Sequence, residues 1–260
     1  MQIALEAAES AGEVLRERHG QVESVEFKTD KSDIVTEADY QSDRIITTVI
    51  ENEFPDHSIF SEESERREGD SDYLWLIDPL DGTGNFAHGN PNYSISIALI
   101  EDGKPVMGVV SVPETGEQFC ARIDGDAEEN DVVLHTTDRE HLDESMLLSG
   151  YDPDGSFLSH FYQEARGVRR LGSAALNLAY LAAGSADAVW EYDTYPWDVA
   201  GGLVIARAAG ATVTNARGEP YELELDGQDH RTELLASNGP LHPALLEHLE
   251  REEEETLTSD

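Results

Sequence analysis

DPLDGTGNF, residues 78–86, sets two aspartates three positions apart on a proline-stiffened turn, directly ahead of a Gly-Thr-Gly-Asn run. Repulsion between carboxylates placed like this normally protonates one of them, unless a cation lies between them. The apolar run before it, YLWLI (73–77), reads as a strand, so Asp78 is expected at the strand end, emerging from the core. Pro79 has no N–H to give to a ladder. Nearby carbonyls, that of Leu80 among them, are then expected to lack a ladder partner and to be free to face a cation. Gly82 permits close backbone approach, and Thr83, Gly84 and Asn85 can open a helix whose free N–H groups point at an anion. Hard oxygen ligands suit Mg²⁺ or Ca²⁺ over softer metals. A bare D-x-x-D-G is more often an ordinary surface turn with plain capping, so the rest of the chain has to decide.

Outward from this stretch, YSISIALIEDGKPVMGVVSVP (93–113) predicts a hairpin turning at Asp102-Gly103, and SIFSEE (58–63) predicts a short buried strand. An amphipathic helix is expected over 3–18, ended by Gly20, and a second from the capping-box pair Thr36/Asp39 to about Glu53. GSAALNLAYLAAG (172–184) and WDVAGGLVIARAAG (197–210) read as buried helices, followed by the strand ATVT (211–214), the turn NARGEP (215–220) and a short helix after Pro240. Residues 124–145 are polar and expected to be irregular. A lobe boundary is expected near 145, dividing 1–145 from 146–260, with a solvated acidic tail at about 251–260. The class is mixed α and β.

Composition narrows the function classes. The chain has 260 residues with 55 acidic against 17 basic side chains, a formal charge of −38. Repulsion of that size is costly at low ionic strength and tolerable at molar salt, where the screening length falls to about 3 Å. The charge therefore predicts a salt-adapted cytoplasm, with an ordinary acidic protein as the plainer alternative. Lys28, Lys31 and Lys104 are the only lysines and form no basic stripe, which disfavours nucleic acid. No stretch reaches the roughly 18 apolar residues of a membrane span. The first twenty residues lack a leader pattern, and the single Cys120 excludes an internal disulfide framework; both point to the cytoplasm.

Five motifs together carry a resemblance. WLIDPLDGTGNF (75–86), PWDVAGG (196–202), FSEES (60–64), DIVTEAD (33–39) and LGSAALNLAYLAAGSADAVWE (171–191) occur in the order and spacing of the inositol monophosphatase family of Mg²⁺-dependent sugar-phosphate phosphatases, which the chain resembles from about residue 2 to 250. The resemblance implies a layered α/β/α/β/α sandwich of α+β class with mixed and antiparallel sheets, a metal site between the lobes, and a homodimer. It implies that Glu62, Asp78 and the Leu80 carbonyl hold one Mg²⁺ and that Asp78, Asp81 and Asp198 hold a second. A third, weaker Mg²⁺ would be held mainly through Glu62 and waters. A water oriented by Thr83 and Glu62 would attack phosphorus in line, with Asp39 helping to orient or deprotonate it. Gly82 and Thr83 N–H groups would grip the phosphate. Gly172, Ser173, Ala174 and Glu191 would line the polyol pocket, where Asp81 and Asp198 also reach the substrate.

Two positions depart from the family pattern: Ser61 replaces a common glycine, and Gly84 stands where threonine or another small residue is frequent. Lys28 matches a lysine often found near the mobile metal loop, and a solvated loop lysine is an equal alternative. The expected substrates are inositol 1-phosphate and fructose 1,6-bisphosphate, both often accepted by archaeal members. The alternatives are 3′-phosphoadenosine 5′-phosphate, or a non-catalytic member that binds metal alone. Other candidates fall away. DGDAEENDVVLH (124–135) carries Glu129 and His135 where a calcium loop needs Gly and Glu. The nine histidines show no zinc spacing, Cys120 lies in an alternating strand, and Ser149 lacks a nucleophile elbow.

Overall fold

The computed structural model describes residues 1–21, 26–27, 34–150, 152, 155–225 and 232–249. Lys28, Lys31, Asp33 and the tail 251–260 lie outside them. In chain order the first half runs α1 (Gln2–Arg18), β1 (Glu26–Phe27), β2 (Ile34–Val35), α2 (Glu37–Glu53), β3 (Ser58–Ser61), β4 (Tyr73–Asp81), α3 (Thr83–Ala87), β5 (Ser94–Glu101), β6 (Lys104–Val112), β7 (Glu117–Arg122), β8 (Glu128–Glu129) and β9 (Val132–Val133). The second half follows with β10 (Met146–Ser149), α4 (Ser156–Glu164), β11 (Gly167–Arg169), α5 (Ala174–Ala182), β12 (Ala188–Thr194), α6 (Pro196–Ala208), β13 (Ala211–Thr214), β14 (Thr232–Asn238) and a helix over 242–249, α7.

These elements stack as five layers. A seven-stranded sheet runs β3-β4-β5-β6-β7-β8-β9, with β3 parallel to β4 and every other neighbour antiparallel. A five-stranded sheet runs β11-β10-β12-β14-β13 and is also mixed. β4 explains the order of the layers, because its near-continuous apolar run is buried on both faces. Trp75 and Ile77 join the alanine-lined face of α1 and Ile46 and Ile50 of α2. Leu74 and Leu76 turn the other way, onto Trp197, Val199 and Leu203 of α6. Burying each such side chain contributes about 1.5–3 kcal/mol, so the pattern commits β4 to the centre. The second sheet packs Val189, Leu234 and Ala236 against the α5/α6 layer. Its outer face, with Leu147, Trp190 and Leu235, is covered by Phe157 and Phe161 of α4, by Leu241 and by Leu245 of α7. The result is the expected α/β/α/β/α sandwich.

One contact sets where α6 lies. A Cβ on Gly108 of β6 would collide with the Gly201 carbonyl and stand 2.9 Å from its carbon, so backbone rests on backbone there. That close approach brings the first turn of α6 beside the end of β4. The Ser96 hydroxyl reinforces it by donating to the Trp197 carbonyl at 3.3 Å.

The hairpin forms as read, with Asp102 and Gly103 both at positive φ between β5 and β6. Two expectations are corrected. Asp78 is not at a strand end: β4 continues to Asp81 through a register shift, so that Pro79 and Leu80 form a bulge between the pairings Asp78–Ser96 and Asp81–Ser94. A bulge tolerates the missing proline N–H and keeps the strand going. Residues 124–145 are not wholly irregular either, since β8 and β9 make a small hairpin on the edge of β7. The DGDAEENDVVLH segment is therefore sheet edge. The first sheet ends at Val133 and the second begins at Met146.

Candidate active site

The bulge in β4 creates the site. The Pro79 carbonyl is taken by the Ser42 hydroxyl of α2 at 2.7 Å, while the Leu80 carbonyl accepts the Thr83 hydroxyl at 3.0 Å. The Leu80 carbonyl, expected to be free, is thus met by a side chain. Asp78 folds back on its own turn, Oδ1 accepting the Leu80 N–H at 3.0 Å. Asp81 reaches across to the other half of the chain, where its Oδ2 accepts the Ser173 hydroxyl at 2.6 Å and the Ala175 N–H at 2.8 Å. Gly82 takes the left-handed conformation (φ 92°) and starts α3. A Cβ on it would stand 3.0 Å from the Gly172 carbonyl, so a larger residue would push the 171–174 turn away.

Two further acids come from helix starts. Asp39 is the third residue of α2 and closes a capping box, Oδ2 accepting the Thr36 N–H at 2.8 Å and the Thr36 hydroxyl at 2.6 Å. Its other oxygen faces the Thr83 hydroxyl at 2.9 Å. Asp198 occupies the same place in α6 and accepts the Tyr195 N–H at 2.9 Å, with Pro196 at the first helical position. Glu62 directly follows β3, its N–H held by the Ile77 carbonyl at 3.1 Å. Each carboxylate is thus aimed by backbone that is itself fixed by strand pairing or capping.

The electrostatics show how close these groups stand. Burial pushes Asp78 well above the usual carboxylate range, and the charges of Glu62, Asp81 and Asp198 push it further. Asp198 is also raised well above, first by desolvation and then by Glu62 and Asp81. Asp81 is pushed up to about 6 by burial, against the opposing pull of its bonds from Ser173, Ala175 and Ala174. Burial likewise raises Asp39 to about 6, while its bonds to Thr36 and Thr83 pull it down. Glu191, on β12, is buried beside Asn177 of α5, and desolvation pushes it up to about 8.

Among the described residues no Lys, Arg or His forms an ion pair with Asp78, Asp81 or Asp198. Among the same residues no three acidic, imidazole or thiol side chains are already drawn into a finished metal cage. Both facts follow from one arrangement: like charges within electrostatic reach, each held by its own N–H or hydroxyl donors. Buried, mutually repelling, all-oxygen groups are the donor set that fits a hard divalent cation.

All of the sequence-derived site residues meet here: Asp39, Glu62, Asp78, Leu80, Asp81, Gly82, Thr83, Gly172, Ser173, Ala174, Glu191 and Asp198 lie in one connected set of contacts and charge interactions. Sequence reading missed four neighbours. Asn85, read only as part of a helix start, bridges the Asn92 and Leu171 carbonyls at 2.6 and 2.7 Å and so clasps the two halves of the chain. Ser94 stands 3.1 Å from Ser173 Oγ. Asn177 and Gly150 flank Glu191. Asn85 and Asn177 lay inside quoted motifs without being singled out; Ser94 and Gly150 become visible only when segments distant in sequence come together. Cys120 is half-buried with its thiol pushed up by burial, and among the described residues the buried Ser149 hydroxyl has no partner to activate it, so neither is set up as a nucleophile.

Comparison with known proteins agrees with this geometry. The chain is 36% identical over 248 residues to the fructose-1,6-bisphosphatase/inositol-1-monophosphatase of Thermotoga maritima, covering 95% of this chain and 94% of that protein. It is 35% identical over 260 residues to Nus factor SuhB of Pseudomonas aeruginosa, covering 95% and 94%. The solved structure of a Thermotoga maritima IMPase superposes with a TM-score of 0.90 at 36% identity, over 98% of each chain. The dual-activity relative is bacterial, so the likeness does not single out an archaeal group. The sequence model described as the inositol monophosphatase family matches residues 1–254, and the chain belongs to that family.

Proposed function

We propose that the chain is a Mg²⁺-dependent phosphatase that hydrolyses a phosphate monoester of a small polyol or sugar, inositol 1-phosphate and/or fructose 1,6-bisphosphate. The observation that carries this reading is the convergence of Glu62, Asp78, Asp81 and Asp198 within mutual electrostatic reach, next to the Gly82–Thr83 turn. Glu62, Asp78, the Leu80 carbonyl, Asp81 and Asp198 are the groups that would hold Mg²⁺, two to three ions per site. Bound there, Mg²⁺ supplies charge neutralisation for the phosphoryl group and the leaving alkoxide and makes a water more acidic.

The chain's own groups supply the rest. The Thr83 hydroxyl, set between the Asp39 carboxylate and the Leu80 carbonyl, directs its single proton to one of them and turns its lone pairs to a water. Asp39, ionised at neutral pH with a pKa of about 6, accepts the proton that this water loses. Glu62 orients the same water. The N–H groups of Gly82 and Thr83 grip the phosphate. Asp81, Gly172, Ser173, Ala174, Glu191 and Asp198 fix the polyol, so that its hydroxyls and not a bulky base fill the pocket.

On this reading residues 1–145 form the lobe that carries most of the cation ligands, and 146–260 the lobe that brings Asp198 and the pocket. The division is supported by the two sheets, built from 58–133 and 146–238 respectively. The enzyme would work as a homodimer in a salt-rich cytoplasm, in keeping with the charge of −38. Among the described residues no helix is long and apolar enough to cross a membrane.

Phosphate release tests the reading. Inositol 1-phosphate, fructose 1,6-bisphosphate and 3′-phosphoadenosine 5′-phosphate are compared at high KCl with Mg²⁺ and again with EDTA. A kcat/KM preference for either of the first two, abolished by EDTA, is the expected result. Preference for the nucleotide would move the substrate class. No release from any of them by folded, Mg²⁺-bound protein would leave a non-catalytic member of the family.

A further inference from the structure

Glu191 is held in a way that its own strand does not explain. Its carboxyl is almost fully buried, 1% exposed, and Asn177 of α5 donates Nδ2–H to Oε1 at 2.7 Å. The other oxygen, Oε2, lies directly over Gly150, the residue that follows β10. A Cβ on Gly150 would overlap Oε2 outright and stand 2.5 Å from Cδ and 2.9 Å from Oε1. Gly150 cannot yield, since its N–H is tied to the Trp190 carbonyl at 2.8 Å, one residue before Glu191. Its φ is not in the left-handed region that favours glycine, so what a side chain there would meet is the Glu191 carboxyl. Asn177 is itself fully buried, and among the described residues its Oδ1 has no hydrogen-bond partner.

We propose that Gly150 and Asn177 are positioning residues: they fix from two sides the Glu191 carboxyl that the reading above assigns to the polyol's hydroxyls, so that losing either weakens hydroxyl-bearing substrates selectively. This rests on the phosphatase reading above. The selectivity follows from chemistry. A purely apolar group placed there would leave the buried carboxyl without a hydrogen-bond partner from the substrate. A vicinal pair of hydroxyls can both donate to and accept from the carboxyl, which meets that requirement at no charge cost.

A double-mutant cycle tests this, read by kinetics and by thermal unfolding. Gly150→Ala, Glu191→Ala and the double variant are assayed on inositol 1-phosphate and on p-nitrophenyl phosphate, whose leaving group carries no hydroxyls. Gly150→Ala is expected to raise KM for inositol 1-phosphate about 10-fold with kcat changed less than about 3-fold, and to leave p-nitrophenyl phosphate within about 2-fold. Asn177→Ala should give the same split. In the Glu191→Ala background, adding Gly150→Ala should change neither KM nor Tm, because the carboxyl it displaces is gone. Equal losses on both substrates, or a Tm drop that is undiminished in the double variant, would show that Gly150 serves the fold alone and would overturn the proposal. If the wild type releases phosphate from neither substrate, the phosphatase reading and the selectivity fail, while the Tm arm still decides whether Gly150 accommodates Glu191.

Discussion

The carboxylate of Asp81, at the end of β4, closes the N-terminus of α5: Oδ2 accepts the Ser173 hydroxyl at 2.6 Å and the Ala175 N–H at 2.8 Å. Ser173 Oγ in turn accepts the Leu176 N–H at 3.2 Å. One acid from the first sheet and one hydroxyl from the second half of the chain therefore share the orphan donors of a single helix. This joins the candidate cation ligand to the pocket-lining turn 172–174. Ser173→Ala should lose both the cap and a charge-assisted bond, lowering stability by about 1–3 kcal/mol in urea titrations with EDTA. The same variant should need several-fold more Mg²⁺ for half-maximal turnover, because Asp81 is less firmly aimed. An unchanged Mg²⁺ requirement would confine Ser173 to helix capping.

Thr83 tests the chemistry separately from the cation. Its hydroxyl donates to the Asp39 carboxylate or the Leu80 carbonyl. Thr83→Ala should leave the Mg²⁺-induced rise in Tm nearly intact while kcat falls about 10²–10³-fold. A parallel loss of Mg²⁺ binding would mean that the hydroxyl holds the Leu80 carbonyl in place for the cation and has little to do with the water.

How much of this was legible in the residues follows from the distances over which they act. The β4 run, the Asp-Gly hairpin, the Thr36/Asp39 capping box and the two alanine- and glycine-rich helices are written in local pattern, and each formed at the expected place. The bulge at Pro79–Leu80 was not legible, because whether a proline ends a strand or bulges it depends on the partner strand, here β5. β8 and β9 escaped notice for a related reason: two-residue strands exist only through pairing with β7. Within the site, the acids stand in short motifs and could be named in advance. Of the residues that surround them, Asn177 lies inside a quoted motif but its role depends on Glu191 being brought beside it, while Ser94 and Gly150 are brought near only by the packing of the two sheets and nothing in their immediate sequence marks them.

The buried acids also make a prediction about stability without turnover. Asp78 is 2% exposed, and its pKa is raised first by burial and then by three neighbouring carboxylates. Asp78→Asn keeps the acceptor for the Leu80 N–H and removes the charge, so in EDTA the variant should be more stable than wild type. The expected sign is a Tm increase of about 2–4 °C for each 1 kcal/mol gained in a chain of this size. Asp198→Asn should behave alike, keeping its bond from the Tyr195 N–H. Both should abolish phosphate release and lose the Tm response to Mg²⁺. Near-wild-type rates in both variants would falsify the assignment of these residues as cation ligands.

pH dependence follows from the same shifts, with a definite sign. Asp39 and Asp81 sit at about 6 and Glu191 at about 8, while Asp78 and Asp198 are raised well above their ordinary value. In the unfolded chain these groups titrate near 4. Between about pH 4 and 8 the folded state therefore binds more protons than the unfolded state, and stability must fall as pH rises through that window. The Tm of the EDTA-treated protein should be highest near pH 5 and drop towards pH 8. About 1 M KCl separates this from general repulsion, since exposed charges are then screened within about 3 Å and buried ones much less. Saturating Mg²⁺ neutralises the same carboxylates, so the Mg²⁺-induced rise in Tm should grow with pH. In Asp78→Asn the slope in EDTA should be shallower than in wild type. A flat profile for the EDTA-treated wild type across pH 5–8 would mean that the acids ionise without penalty, and the electrostatic argument for a cation among them would fail with it.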